Sequence, residues 1–412
     1  MGADSSPVMD QVPVVVGLGD PVMDILANVS AEWLATVTPE PGGCLPIPPD
    51  AMERLIADAS QQSELKRIPG GSAANVMKGI ANIAGGAAQC RFVGMIARDA
   101  TGEDYRAKLA AQGVAPLLLE SDTGAPSAIA LCLVTPDGQR TMRTCLGASL
   151  ELRSAAQLPP AWAAGCRLLH AEGYCLYRPE LAREMMVAAR RSGAMVSIDL
   201  ASFELVRNCK EALLGLLQDG LVDLIFANEE EAITLASELS LVPPGADPEA
   251  AVAAAQAYLL SPAGGRARVA VTSLGSRGCV ARGAGGEEGA SPACRVTVVD
   301  TIGAGDFFTS GFLTAYLRGA SLQQCCAAGC AAGCEAVQAT GAELPPEAFE
   351  RLRKALDVVL AARTASGGGG GAGGAAVNAL ASALGVSNGG GTSVAAVPPA
   401  AAAAAVAVGA LV

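Results

Sequence analysis

Between Val12 and Arg363, short apolar runs alternate with longer stretches whose apolar residues recur every three or four positions. The runs at 14–18, 90–95, 167–170, 195–200, 224–227, 269–272 and 296–299 have strand length and are mostly apolar, so they predict buried strands. The stretches at 51–66, 73–84, 179–191, 204–218, 249–260, 307–318 and 322–339 predict helices. Strands alternating with helices imply βαβ units, hence an α/β fold with a mainly parallel sheet covered by helices on both faces. In such sheets ligands bind beyond the carboxyl ends of the strands, so the loops leaving strands are the informative ones.

Two segments break this rhythm. Residues 128–134, the turn Thr135-Pro136-Asp137-Gly138 and residues 139–145 read as a β-hairpin, because Pro, Asp and Gly each favour a tight reversal. A hairpin over residues 126–145 that projects from a parallel sheet suits a small β lid, expected to close over the cleft when the acceptor binds. An edge ribbon with no further role is the plainer alternative. After Arg363 no charged residue appears, and glycine and alanine dominate. Such a composition lacks the patterned side chains that offset ordering entropy. Residues 12–363 are therefore expected to form the folded domain and 364–412 a disordered tail.

Hydrophobic residues make up 51% of the 412, enough for a sizeable core. The formal charge of −12, from 28 basic and 40 acidic residues, disfavours nucleic acid as a partner. Thirteen cysteines without paired Cys-x-x-Cys units read as reduced core thiols, which suits a reducing compartment. Cys326, Cys330 and Cys334 recur at i, i+4, but no second pair or histidine accompanies them to complete a thiolate metal site. The single histidine, His170, closes an apolar run and is expected in the core or at a strand edge. Residues 1–11 carry two aspartates and no basic residue, unlike a secretory or transit leader. The apolar end at 400–412 is too short to span a bilayer. A cytoplasmic location with no membrane partner is expected. Met1-Gly2-Ala3-Asp4-Ser5-Ser6 matches the short N-myristoylation pattern, which leaves acylation of Gly2 open.

The strongest chemical signal is Asp300-Thr301-Ile302-Gly303-Ala304-Gly305-Asp306, set between the run at 296–299 and an apolar helix. Glycines permit a tight turn and leave backbone N–H groups unobstructed. At the positive end of a helix those donors form an anion hole suited to a transferring phosphoryl group. Asp306 falls in the first helical turn, where the dipole favours an ionised carboxylate that can take a proton from a substrate hydroxyl. The bland alternative is an N-cap on an ordinary strand-to-helix turn.

Asp300–Asp306, continuing into Phe307-Phe308-Thr309-Ser310-Gly311-Phe312, resembles the C-terminal signature of the PfkB (ribokinase-like) carbohydrate kinases. That family includes ribokinases, fructokinases and adenosine kinases. Four further motifs in the expected order extend the resemblance from Val14 to Glu343. The first is Gly17-Leu18-Gly19-Asp20-Pro21-Val22-Met23-Asp24, where the resemblance implies that Asp24 accepts hydrogen bonds from substrate hydroxyls. An ionised carboxylate can grip two vicinal hydroxyls at once. This is not a dinucleotide fingerprint, because Val22 stands where a third glycine is needed. Pro69-Gly70-Gly71-Ser72-Ala73-Ala74-Asn75 resembles the glycine pair whose backbone closes on the sugar, with Asn75 positioned to hydrogen-bond it.

Asn228-Glu229-Glu230-Glu231 matches the family's Asn-x-x-Glu element, which implies that Glu231 acts on Mg²⁺ through water and that Asn228 stands beside the nucleotide. Val271-Thr272-Ser273-Leu274-Gly275-Ser276-Arg277-Gly278 resembles the nucleotide loop, implying Ser273, Gly275 and Gly278 as its contacts. The family threonine falls at Ser273, with Thr272 just before, and either hydroxyl could serve. Gln338-Ala339-Thr340-Gly341-Ala342 looks like the element closing the adenine pocket, although Cys330 stands where the family often has asparagine.

The resemblance implies an ATP-dependent kinase acting on an alcohol group, with Asp306 as general base and the backbone of Gly303, Ala304 and Gly305 as anion hole. It implies Mg²⁺ and leaves a monovalent cation and a homodimer open. It does not identify the acceptor. The Asp20-Pro21-x-x-Asp24 start looks like adenosine kinases, and Trp33 or Tyr174 suits stacking on a purine, yet aromatic residues are only 3% of the chain. A small sugar is therefore expected first, adenosine second and a phosphorylated sugar third, with the lid residues Gln139–Arg143 available to a sugar or a phosphate. Two readings come from other classes. A non-catalytic nucleotide-binding regulatory protein is opposed by the intact Asp306, and a Rossmann-type oxidoreductase by the missing glycine fingerprint.

Overall fold

The computed structural model of the protein describes residues 12–39 and 41–361. The Gly2 pattern and the segment 364–412 lie outside these residues. Nine strands form the larger sheet, in the order Glu288–Ser291, Cys279–Gly283, Val269–Ser273, Leu224–Asn228, Met195–Asp199, Cys166–Glu172, Val14–Leu18, Gln89–Ala97, Val114–Ser121. Both pairings of Cys279–Gly283 are antiparallel and all the others are parallel. Along Val14–Leu18, Val15 enters one apolar cluster while Val14, Val16 and Leu18 enter the other. A strand alternates its side chains between faces, so a run buried on both faces is mostly apolar, and its few polar side chains need partners.

Six of the seven predicted runs are strands within two residues of the expected bounds. The run at 296–299 is not. It is extended chain beyond the sheet, with Val298 and Val299 exposed and the N–H groups of Val299 and Asp300 both donating to Val337 O, at 2.7 and 3.2 Å. The helical stretch at 204–218 breaks at Cys209 into Phe203–Asn208 and Lys210–Gln218. The stretch at 51–66 stops at Ser60, and its last residue opens the strand Lys66–Pro69. Val114–Ser121 was hidden by Pro116, which is tolerated because this strand is the edge of the sheet.

The predicted hairpin is present as Ile129–Val134 and Arg140–Cys145, antiparallel, with Gly138 at φ 82° in the turn. It belongs to a second, five-stranded sheet in the order Cys44–Pro46, Arg140–Cys145, Ile129–Val134, Met23–Asn28, Lys66–Pro69. The expected lid hairpin is thus part of a larger sheet, and Asp24 lies on that same sheet, in the strand Met23–Asn28. Met23, Ile25 and Ala27 are buried while Asp24, Leu26 and Asn28 alternate with them, the pattern of a sheet that is dry on one face.

His170 is fully buried in mid-strand, its Nδ1 3.0 Å from Ser197 Oγ, and burial pulls the imidazole down to about 3. Among the described residues no group of three or more His, Cys, Asp or Glu side chains stands close enough to hold a metal ion directly, and no helix is long and apolar enough to cross a membrane.

Candidate active site

Two helices converge with their N-termini on one cavity. Ser72–Ile83 follows the strand Lys66–Pro69, and Ala304–Leu317 follows the loop at 300–303. They touch where a Cβ on Gly79 would fall 2.2 Å from Ser310 Oγ, an approach only glycine allows. One turn earlier on each helix, Asn75 faces Asp306. Asn75 Nδ2 donates to Asp306 Oδ2 at 2.8 Å and Ser72 Oγ donates to Oδ1 at 2.7 Å, so both carboxylate oxygens are oriented. Burial raises the Asp306 carboxyl, opposed by these two donors and by the cation of Lys78.

The helix carrying Asp306 begins three residues earlier than expected, with Gly303 as N-cap at φ 76°. The Ala304 N–H turns back to Thr301 O at 3.2 Å. The N–H groups of Gly305 and Asp306 lie in the first turn, where helix geometry offers no intrahelical acceptor. A Cβ on Gly305 would meet nothing within 4 Å, which leaves open space at the positive end of the helix.

That space is a cavity of about 370 Å³, bounded by Gly303, Gly305, Asp306, Ser72, Asn228, Glu231 and Ser273 among others. Asp199, Asn228 and Ser273 are the carboxyl-terminal residues of three neighbouring strands. Met142 of the lid sheet also lines the cavity. Ser273 rather than Thr272 faces it, because Thr272 Oγ1 is buried and accepts from Gln256 Nε2 at 3.0 Å. Tyr174 lines the cavity and Trp33 does not. Gly275 and Gly278 lie outside the lining. Gly278, at φ 98°, has no room for a Cβ, which would fall 1.9 Å from Ser291 O.

Asn228 and Glu231 form a reciprocal cap. Glu231 N donates to Asn228 Oδ1 at 2.9 Å, while Asn228 N and Nδ2 donate to the Glu231 carboxylate at 2.8 and 2.6 Å. Burial and the nearby charge of Asp199 push Glu231 up to about 8. Asp199 was not singled out from the sequence. Burial, with Asp306 adding to it, raises Asp199 to about 7, and its Oδ1 accepts from Ala201 N at 2.9 Å. The signal was available, since a carboxylate ending a parallel strand is where such folds place ligand contacts. Three carboxylates on one cavity repel one another, and an oxygen-preferring divalent cation fits that donor set; its waters would bridge to them, since among the described residues no three such groups stand close enough for direct ligation.

Asp24 sits against the Gly70–Gly71 pair. A Cβ on Gly70 would lie 2.2 Å from Asp24 Oδ2, and Gly71, at φ 92°, would put one 2.4 Å from Asp20 O. Burial lifts Asp24 to about 7, with Lys78 opposing and Asp306 adding. Lys78, also missed, is a buried cation that acts on both aspartates and whose Nζ donates to Pro69 O at 2.6 Å and Ala342 O at 3.0 Å. Burial lowers it to about 8 against the pull of Asp24, Glu343 and Asp306. Asp300 does not face the cavity. Its carboxylate accepts from Ile302 N at 2.9 Å and Gly341 N at 2.5 Å, joining two of the sequence motifs, and it pairs with Arg140 of the lid sheet.

The family model for pfkB family carbohydrate kinases matches residues 48–348. Adenosine kinase 1 of Arabidopsis thaliana is 23% identical over 345 residues, covering 81% of this chain and 96% of its own length. A probable sugar kinase from Rhizobium etli superposes with a TM-score of 0.71 at 28% identity, covering 84% of this chain and 98% of that one. Adenosine kinase from Sinorhizobium meliloti superposes with a TM-score of 0.68 at 28% identity, covering 86% and 100%.

Proposed function

The chain belongs to the pfkB family of carbohydrate kinases, and from that premise we propose that it moves the γ-phosphate of ATP to a ribose hydroxyl of adenosine. It is a phosphotransferase with an alcohol group as acceptor. The observation that carries the mechanism is the Asp306 carboxylate, held by Ser72 and Asn75 at the open N-terminus of its helix.

In this reading Asp24 accepts hydrogen bonds from vicinal hydroxyls of the acceptor, which favours its charged form. The attacking hydroxyl gives its proton to Asp306, whose raised basicity suits that transfer. The Gly305 and Asp306 N–H groups meet the charge on the transferring phosphoryl oxygens, and Lys78 stabilises both aspartates from behind. Ser273 and Asn228 stand toward the nucleotide. Glu231 and Asp199 would hold Mg²⁺ through its waters, and the ion would supply charge neutralisation on the phosphates. Met142 and the Arg140–Asp300 pair support a lid that covers the acceptor and excludes water.

Adenosine now stands ahead of a sugar because relatives named adenosine kinase match along 81% of the chain, and Tyr174 offers the cavity an aromatic face. A sugar is the second reading, favoured by the Rhizobium etli likeness. Coupled ADP release with Mg²⁺–ATP, over adenosine, other nucleosides and a panel of sugars, tests both. Adenosine is expected to give the highest kcat/KM. Preference for a sugar would install the second reading, and no ADP release from any acceptor would leave the non-catalytic one.

A further inference from the structure

All thirteen cysteines are free, and Cys294 is the one that is not fully buried. It lies three residues past the strand Glu288–Ser291, on the segment that runs toward Asp300. Its partner is Cys334 on the helix Leu322–Ala336. Cys294 N–H donates to Cys334 Sγ at 3.0 Å, and the Cys334 thiol reaches back to Cys294 O at 3.9 Å. The Cys334 side chain lowers the Cys294 thiol, and Cys294 raises that of Cys334. Cys294 is thus the thiol open to a reagent and Cys334 the buried neighbour within reach of it, the arrangement of an attacking and a resolving cysteine.

We propose that Cys294 and Cys334 form a thiol–disulfide exchange site whose reagent is a low-molecular-weight disulfide of the glutathione class. The Cys294 thiolate attacks one sulfur of the reagent, forms a mixed disulfide and releases one thiolate, which takes up a proton. Cys334 then loses its proton and attacks the Cys294 sulfur, forming the Cys294–Cys334 bond and expelling the second thiolate. Two protein thiols are oxidised, one small disulfide is reduced to two thiols, and no other oxidant is needed.

A neighbouring pair shows why access matters. Cys279 and Cys330 have sulfurs 3.6 Å apart, but both are buried and closed to a reagent of that size. The position also has a structural consequence. Gly278 of the loop at 273–278 rests on the backbone at 291–293, where a Cβ would fall 1.9 Å from Ser291 O and 2.7 Å from Pro292 Cα. A bridge at Cys294 anchors the segment on which that loop is packed. The site stands on its own geometry, whichever acceptor the enzyme uses.

The test uses the full chain, reduced and then exposed to oxidised glutathione. Free thiols are blocked with an alkylating reagent and the protein is digested without reduction for mass spectrometry. The expected product is a peptide pair joining Cys294 to Cys334, forming at least about tenfold faster than any other disulfide and lost on adding dithiothreitol. Cys334→Ser should trap glutathione on Cys294 as a lasting mixed disulfide. Wild-type protein that keeps glutathione on Cys294 with Cys334 still alkylatable would overturn the proposal. So would a cross-link confined to Cys279 and Cys330, or a Cys294 no more reactive than the buried cysteines. The wild-type measurement decides the matter even where the variant folds poorly.

Discussion

Asn75 and Asp306 are 231 residues apart in sequence and meet at 2.8 Å, Nδ2 to Oδ2, where two helix N-termini share one cavity. Asn75 favours the ionised form of the carboxylate. Removing it in Asn75→Ala should raise the Asp306 pKa, so the acid limb of the kcat–pH profile moves to higher pH. A limb that stays where it was would dissociate the two residues functionally.

Asp306→Asn keeps the shape of the side chain and removes its basicity. The fold and ATP binding should persist while kcat drops about 10²–10⁴-fold, the usual size of a general-base contribution. Turnover at the wild-type rate on the active acceptor would refute the assignment.

Asp24→Ala takes the carboxylate away from the Gly70–Gly71 surface. Loss of two charge-assisted hydrogen bonds should weaken acceptor binding by roughly 10²-fold and leave ATP binding almost unaltered. Separate calorimetric titrations of ATP and acceptor measure the contrast, and equal losses for both ligands would speak against it.

Glu231→Gln keeps an oxygen for the Asn228 N–H, so the cap and the fold should survive. The charge on the metal's water shell is lost, and the Mg²⁺ concentration for half-maximal rate should rise more than the acceptor KM does. A Mg²⁺ titration superimposable on wild type would sink that role.

Burial pushes the carboxyls of Asp199 and Glu231 up to about 7 and about 8, above the values near 4 of the unfolded chain. Groups raised on folding contribute their stability fully below the unfolded pKa and lose it as pH rises through the folded pKa. The protein should therefore lose stability between about pH 4 and pH 8 from this pair. Asp199→Asn should raise Tm at pH 8.5 and change it little at pH 5. An equal shift at both pH values would place the cause elsewhere.

The alternation of apolar runs and amphipathic stretches was enough to specify a mainly parallel sheet with helices on both faces, because a strand buried on both sides has room for few polar residues and only where they are paired. The glycine-flanked Asp306 was legible for a similar reason, since its local chain dictates both the turn and the helix that follows. Its partners were another matter. Ser72 and Asn75 reach Asp306 where Gly79 lets two helices touch at Ser310, a contact between segments more than two hundred residues apart. Asp199 carries no motif, and its raised pKa arises from burial and from Asp306 across the cavity. The run at 296–299 had the composition of a strand but no neighbour to pair with. Asp24 was expected from its motif to contact the acceptor, and only strand pairing placed it on the five-stranded sheet, since pairing partners are chosen by the whole fold and not by the strand itself.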